Sequence, residues 1–191
     1  MQDKTIRLHR LEPASRVNGP GLRAVIWVQG CALGCPGCFN PETHATRGGE
    51  IWPVEKLVER IIEISTKEVR LEGLTISGGE PLHQHRALAR LLQQVREKTG
   101  LSILVFTGYD WEELKRLKGI DRFLAYVDVL IAGRYVASRR LAQGLVGSSN
   151  KIAHFLTSRY APADLEAVPQ AEIIVKPDGE IILSGIDPLE W

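Results

Sequence analysis

Cys31, Cys35 and Cys38 are all the cysteines the chain has, and they fall within eight positions. Thiolate sulfur is a soft ligand that suits zinc or an iron–sulfur cluster. A disulfide framework is a poor match. Cys35 and Cys38 bracket only two residues, and one thiol is left over. Structural zinc is usually closed by four protein ligands in paired Cys-x-x-Cys arms, so zinc here would need His44 as its fourth. A four-iron cluster held by three cysteines keeps one iron with an open coordination position. Three readings stand on these residues alone: a cluster holder, a Cys3His zinc module, or three unligated thiols.

The segments around the cysteines read as alternating strand and helix. "EPASRVNGPGL" (12–22) is rich in Pro, Gly and polar residues and predicts a loop. "RAVIWVQG" predicts a strand that ends just before Cys31. Pro53 opens a helix whose Val54, Leu57, Val58, Ile61 and Ile62 share one face. "LEGLTIS" (71–77) predicts a second strand, and Leu88, Leu91, Leu92 and Val95 the apolar stripe of a second helix. "LSILVF" (101–106) and "VDVLIAG" (127–133) are nearly unbroken apolar runs, as in strands covered on both faces. Asp110 and Glu113 form a capping box before "DWEELKRL". Two apolar runs around Pro177-Asp178-Gly179 predict a C-terminal β-hairpin at about 171–186.

This order predicts an α/β fold, an open or partial parallel β/α barrel with helices outside, as a single domain over 1–191 with its core at about 17–151. Ligands of such sheets gather at the C-terminal strand ends. Here those ends read "VQGC", "TISGGE", "VFTGY" and "VLIAGR", each passing from apolar to small and polar residues.

Bulk composition narrows the classes. The 191 residues carry 24 basic and 23 acidic side chains, a net charge of +1. No global field points to nucleic acid or an anionic membrane. "MQDKTIRLHRLEP" has no apolar signal region, and no apolar run approaches a membrane span. A reducing cytoplasm is the expected setting.

Cys31-x-x-x-Cys35-x-x-Cys38 followed by "TISGGEP" (75–81) resembles the radical S-adenosylmethionine enzymes. "NGPGLRAVIWVQGC", "CPGCFNPETH", "FTGYDWEEL", "VDVLIAGRY" and "GSSNK" (147–151) resemble, more narrowly, the activating enzymes of glycyl radical enzymes, above all the small activases of anaerobic ribonucleotide reductase. The resemblance spans roughly Val17 to Lys151. It implies that Cys31, Cys35 and Cys38 hold one 4Fe-4S cluster whose open iron is chelated by the amino and carboxylate groups of S-adenosylmethionine. It implies cofactor contacts at Gly37, Cys38, Phe39, Gly78, Gly79, Glu80 and Thr107, with Gly78 and Gly79 admitting the methionine part and Glu80 accepting from its ammonium. It implies reductive cleavage to a 5′-deoxyadenosyl radical, a glycyl radical enzyme as partner and a flavodoxin or ferredoxin as electron donor. A radical enzyme acting on a small molecule or peptide is the alternative.

Asn18, His44, Ala132 and Lys151 depart from the pattern, standing where Asp, Trp, Asp and Gln are usual, and Gly37 is shared with the ribonucleotide reductase activases. The C-terminal hairpin and Trp191 lie beyond what the smallest activases have. His83 and His85 read as exposed or capping, and Asp128 as facing outward or lining the site. Arg134, Arg139 and Arg140 read as a solvated basic face.

Overall fold

The computed structural model describes residues 2–176 and 178–186; Pro177 and Trp191 lie outside them. Its centre is an open seven-stranded sheet in the order β3-β1-β2-β4-β5-β6-β9. These are β1 (Thr5–Ser15), β2 (Arg23–Val28), β3 (Glu50–Pro53), β4 (Gly73–Gly78), β5 (Ser102–Thr107), β6 (Val129–Ala132) and β9 (Ile152–Phe155). Strands β2, β4, β5 and β6 run parallel, and β1, β3 and β9 add antiparallel margins. No closed barrel forms among them.

Side-chain alternation along each strand decides which face is which. Ala24, Ile26, Val28, Leu74, Ile76, Ile103 and Val105 point to the main core. There they meet α1 (Val54–Glu63) and α2 (His85–Thr99), whose buried stripes are Val54, Leu57, Val58, Ile61 and Leu88, Leu91, Leu92, Val95. Gly100 ends α2 in the left-handed conformation that glycine takes without steric cost. The short α3 (Trp111–Lys115), opened by the Asp110–Glu113 capping box, and α4 (Ile120–Leu124) complete that layer.

The other face carries Leu104, Val129 and Ile131, packed with Leu145, Leu165 and Val168. It is covered only in part, by the ribbon β7 (Arg140–Gln143) and β8 (Val146–Ser148) and by α5 (Pro162–Glu166). The base of this face holds Arg23, a fully buried guanidinium. It donates to Thr75 Oγ1, Ser102 Oγ, Tyr160 Oη and the carbonyls of Pro20, Leu74 and Ser102. Gly73 makes room for it, since a Cβ there would collide with the guanidinium.

Two expectations change. The segment 12–22 is not all loop, because β1 continues through Ser15, with Leu11, Glu12 and Ser15 paired to Ile26, Val25 and Arg23. Pro13 falls at a register shift between Glu12 and Ser15, where a residue without an N–H costs the ladder nothing. Asp128 neither faces outward nor lines the site. It is buried and accepts from Arg96 Nη2, the Ile103 N–H and Thr157 Oγ1. The C-terminal hairpin forms as β10 (Ala171–Val175) against β11 (Ile181–Gly185). Among the described residues no helix is long and apolar enough to cross a membrane.

Candidate functional site

The cysteine loop leaves β2 and closes on itself at a neck. Gly30 N–H donates to Thr43 O and Cys31 N–H to His44 O. Buried Gln29 braces that neck, its amide donating to the carbonyls of Glu42 and Ala45. Gln84, at the start of α2, donates to Gln29 O and Arg7 O. His44 thus serves the neck through its backbone carbonyl. Among the described residues no three His, Cys, Asp or Glu side chains are gathered as ligands of one metal ion.

Inside the neck, Cys38 N–H donates to Cys35 O across a turn that puts Gly37 at φ +70°, a left-handed position suited to glycine. Leu33 N–H approaches Cys31 Sγ and Asn40 N–H approaches Cys38 Sγ, each at 3.5 Å. Such donors favour negative charge on sulfur. Burial acts the other way on Cys31, pushing its thiol above the ordinary value, with the Glu80 carboxylate adding to the rise. A thiol in that position ionises readily only when a cation takes the proton's place. Three half-buried thiols free of any disulfide, two of them beside amide donors, are a soft donor set that suits an iron–sulfur cluster.

The cysteines face a cavity of about 370 Å³, within the usual range for small-molecule sites. Cys31, Cys35, Cys38, Phe39, Gly78, Gly79, Glu80 and Thr107 all line it; Gly37 does not. Period two along the strands brings Trp27, Ser77 and Phe106 to the same side.

The glycine pair also serves the sheet itself. A Cβ on Gly78 would lie 2.5 Å from Val28 N, and one on Gly79 2.5 Å from Gly30 O. The first demand on both residues is therefore close passage of β4 against the end of β2. Gly79 N–H and Glu80 N–H use that closeness, donating to Val28 O and Gly30 O. Gly78 also sits at φ +102°.

Glu80 is almost wholly buried, at 1% exposure. Its Oε1 accepts from Leu82 N–H and Thr107 Oγ1, each at 2.8 Å, and its Oε2 from Gly108 N–H at 2.7 Å. Burial raises its carboxyl above the usual value, and those three donors oppose the rise. A carboxylate has about four acceptor positions, so Glu80 keeps one toward the cavity. Thr107 is occupied in holding Glu80 and in accepting from Tyr109 N–H. Gly108 is fixed in turn by Arg134, which donates to its carbonyl and grips both oxygens of Glu113. Arg134 is thus part of the frame. His83 meets Tyr109 Oη, and His85 lies between the carbonyls of Leu82 and Lys118, away from any shared metal.

Two walls escaped the sequence reading. "GSSNK" curls over the cluster loop. Gly147 lies under the Phe39 ring, where a Cβ would come within 2.7 Å, and Tyr135 packs on Phe39 at 4.7 Å between ring centroids. Lys151 reaches the cavity beside the end of β6. The C-terminal hairpin supplies Leu183, Ser184, Gly185 and Ile186 to the lining. Glu172 pins it by accepting from Ser15 Oγ and Arg16 N–H, and Ser184 Oγ accepts from Asn18 Nδ2. Asn18, the departure from aspartate, is therefore a donor to the hairpin. The Pro-Asp-Gly turn announced the hairpin, but nothing local told where it docks.

Residues 17–154 match the model of a 4Fe-4S single cluster domain family. The anaerobic ribonucleoside-triphosphate reductase-activating protein of Escherichia coli K12 is 34% identical over 157 residues, covering 78% of this chain and 97% of its own. Its counterpart from Salmonella typhimurium is 32% identical over 158 residues, covering 79% and 99%. That of phage T4 is 34% identical over 145 residues, covering 74% and 89%. The solved structure of QueE from Escherichia coli is similar over 55% of this chain and 53% of its own, at 17% identity and a TM-score of 0.42. The chain belongs to the 4Fe-4S single cluster domain family and to the activating proteins of anaerobic ribonucleoside-triphosphate reductase.

Proposed function

We propose that this protein binds S-adenosylmethionine in the cavity beside Cys31, Cys35 and Cys38 and installs a glycyl radical on an anaerobic ribonucleoside-triphosphate reductase. The observation that carries the reading is the convergence of three thiols, the Gly78-Gly79-Glu80 strand end and an open cavity on one side of the sheet. When bound there, the reduced cluster and S-adenosylmethionine supply a carbon-centred radical that takes a hydrogen atom from the partner's glycine. The chain's own part is to bind, orient and exclude.

In this reading the three cysteines hold the cluster, with Gly37 shaping the turn that presents Cys38. Glu80 takes the cofactor's ammonium on its remaining acceptor position, a charge-assisted bond about twice as strong as a neutral one. Thr107 holds the Glu80 carboxylate in place. Gly78 and Gly79 offer backbone to the cofactor, and Phe39 stands at the rim. A flavodoxin or ferredoxin delivers the electron, and the setting is cytoplasmic.

The test uses iron-reconstituted, dithionite-reduced protein. It should cleave S-adenosylmethionine to 5′-deoxyadenosine and give the reductase a glycyl doublet in electron paramagnetic resonance. Production no higher than that of Cys35→Ala would end the radical assignment, and cleavage without the doublet would end the choice of partner.

A further inference from the structure

The C-terminal hairpin has two faces, and the rest of the chain uses one of them. Cross-strand partners in an antiparallel pair share a face, and so do residues two apart. Glu172 with Ser184 and Ile174 with Ile182 make up the face turned toward β1 and the turn after it. That face is fastened to Ser15, Arg16 and Asn18, and Ile182 is buried in it. The face turned away pairs Ile173 with Leu183 and Val175 with Ile181. All four are aliphatic. Val175 is 67% exposed and Ile181 62%, and Ile173 is exposed as well.

This strip leads somewhere. Leu183, at its inner end, lines the cavity beside the cysteines. Its outer end is the hairpin turn, where Lys176 pairs with Glu180 and feels the charge of Glu12 on β1. The hairpin therefore lies along β1 from Ser15 toward Glu12, and its apolar strip runs from solvent to the cavity. Scattered apolar side chains need no explanation, but contiguous ones that lead into a cavity mark a place of contact.

The reaction says what makes that contact. A radical formed in the cavity takes its hydrogen atom from a glycine of another protein, so a segment of that protein must cross the rim. A segment entering on this side lies along the strip. The charges at the outer end, Lys176 and Glu180, answer each other. A charged side chain laid on the strip would lose water without a counter-ion, whereas an aliphatic one would gain by burial. We propose that Ile173, Val175, Ile181 and Leu183 form a docking strip for the reductase, seating apolar side chains that flank the glycine to be activated. This rests on the reading that the cavity makes a radical for that partner. The strip lies beyond the 17–154 match, so it adds a contact to the shared machinery.

The test titrates the reductase into anaerobic, cluster-reconstituted protein holding S-adenosylmethionine. The glycyl doublet gives the reductase concentration for half-maximal activation. Wild type is compared with Val175→Ser/Ile181→Ser, with the aliphatic swap Val175→Ile/Ile181→Val, and with Ile51→Ser. Ile51, 59% exposed on β3, is the matched isoleucine outside the strip. The serine pair should raise the half-maximal concentration about tenfold or more, as when apolar anchors leave an interface. Its 5′-deoxyadenosine formation without reductase should stay within about twofold of wild type, as for independent sites. The aliphatic swap and Ile51→Ser should shift the half-maximal concentration less than about threefold. An unchanged concentration in the serine pair, or an equal rise in Ile51→Ser, would overturn the docking strip. So would a thermal midpoint that falls further per serine in the pair than in Ile51→Ser, because the strip would then be an internal face. A sedimentation coefficient lowered by the serine pair would overturn it too, by making the strip the seat of a second copy. Wild type that cleaves S-adenosylmethionine yet gives no doublet at any reductase concentration would instead overturn the reading of the partner.

Discussion

The cavity has two unlike sides. On one, the ends of β2 and β4 are locked together by Gly79 and Glu80 N–H bonds, and Glu80 is satisfied by three donors from two elements. This side lies within the 17–154 family match. On the other, the β10–β11 hairpin lies beyond that match. Side chains fasten it, Glu172 to Ser15 and Arg16 and Ser184 to Asn18. Ile173, Val175 and Ile181 remain exposed on its outer face. The difference separates two duties. Groups that do chemistry need positions held by the buried sheet, while a wall that bounds the site can be added as a discrete piece with its own few fastenings.

The sharpest way to break this contrast is at the thiols. Cys35→Ala should lose the iron and its brown colour on reconstitution and bring 5′-deoxyadenosine formation to background. An iron-replete variant with retained turnover would move the cluster elsewhere.

Glu80→Gln comes next. It turns one carboxylate oxygen into an NH2, so either the Gly108 N–H or the Leu82 N–H and Thr107 hydroxyl lose their acceptor, and each buried unsatisfied donor costs about 1–3 kcal/mol. Denaturant unfolding of cluster-free protein should show that loss, and S-adenosylmethionine should bind about tenfold or more weakly. The pH dependence has a definite sign. Glu80's carboxyl is raised above 4.5 by burial, so its contribution is fully present below that pH. As pH rises past 4.5 the unfolded chain ionises first and the folded state loses ground until the raised pKa is passed. The stability gap between wild type and Glu80→Gln should narrow over that window. A gap that widens would mean that the donors outweigh burial.

Gly79→Ala is a smaller disturbance on the same side. Its Cβ would meet backbone at Gly30, and overpacking of this kind costs about 1–3 kcal/mol. It should lower the thermal midpoint of cluster-free protein, whereas an unchanged midpoint would show that β2 and β4 can separate freely.

Across the cavity, Glu172→Ala should cost only about 1 kcal/mol or less. It should speed hydrogen exchange at Ile181–Gly185 and leave 5′-deoxyadenosine formation unchanged. A loss of cleavage as large as that of Glu80→Gln would erase the distinction between the two sides.

The same division governs what could be read from the sequence. The helices were legible because Val54, Leu57, Val58, Ile61 and Leu88, Leu91, Leu92, Val95 repeat at the helical period, and β5 because "LSILVF" is covered on both faces. The extent of β1 was not, because Pro13 and polar neighbours say loop until β2 is beside them. The cysteines and Gly78-Gly79-Glu80 stood out because few other roles use those residues at that spacing. Arg23, Gln29 and Gln84 did not, since a buried guanidinium and two bracing amides are defined only by distant partners. Gly78 and Gly79 line the cavity as expected, and their close passage against Val28 and Gly30 was not legible, because it is defined only once β2 lies beside β4.

The neck that joins Gly30 and Cys31 to Thr43 and His44 needs only a short stretch of chain, whereas Leu183–Ile186 close the far wall from the opposite end of the sequence. During synthesis the cysteine loop therefore leaves the ribosome long before the wall that faces it. For that interval the thiols stand in a half-open basin, accessible to whatever delivers iron, and the chamber narrows only when the last strand arrives.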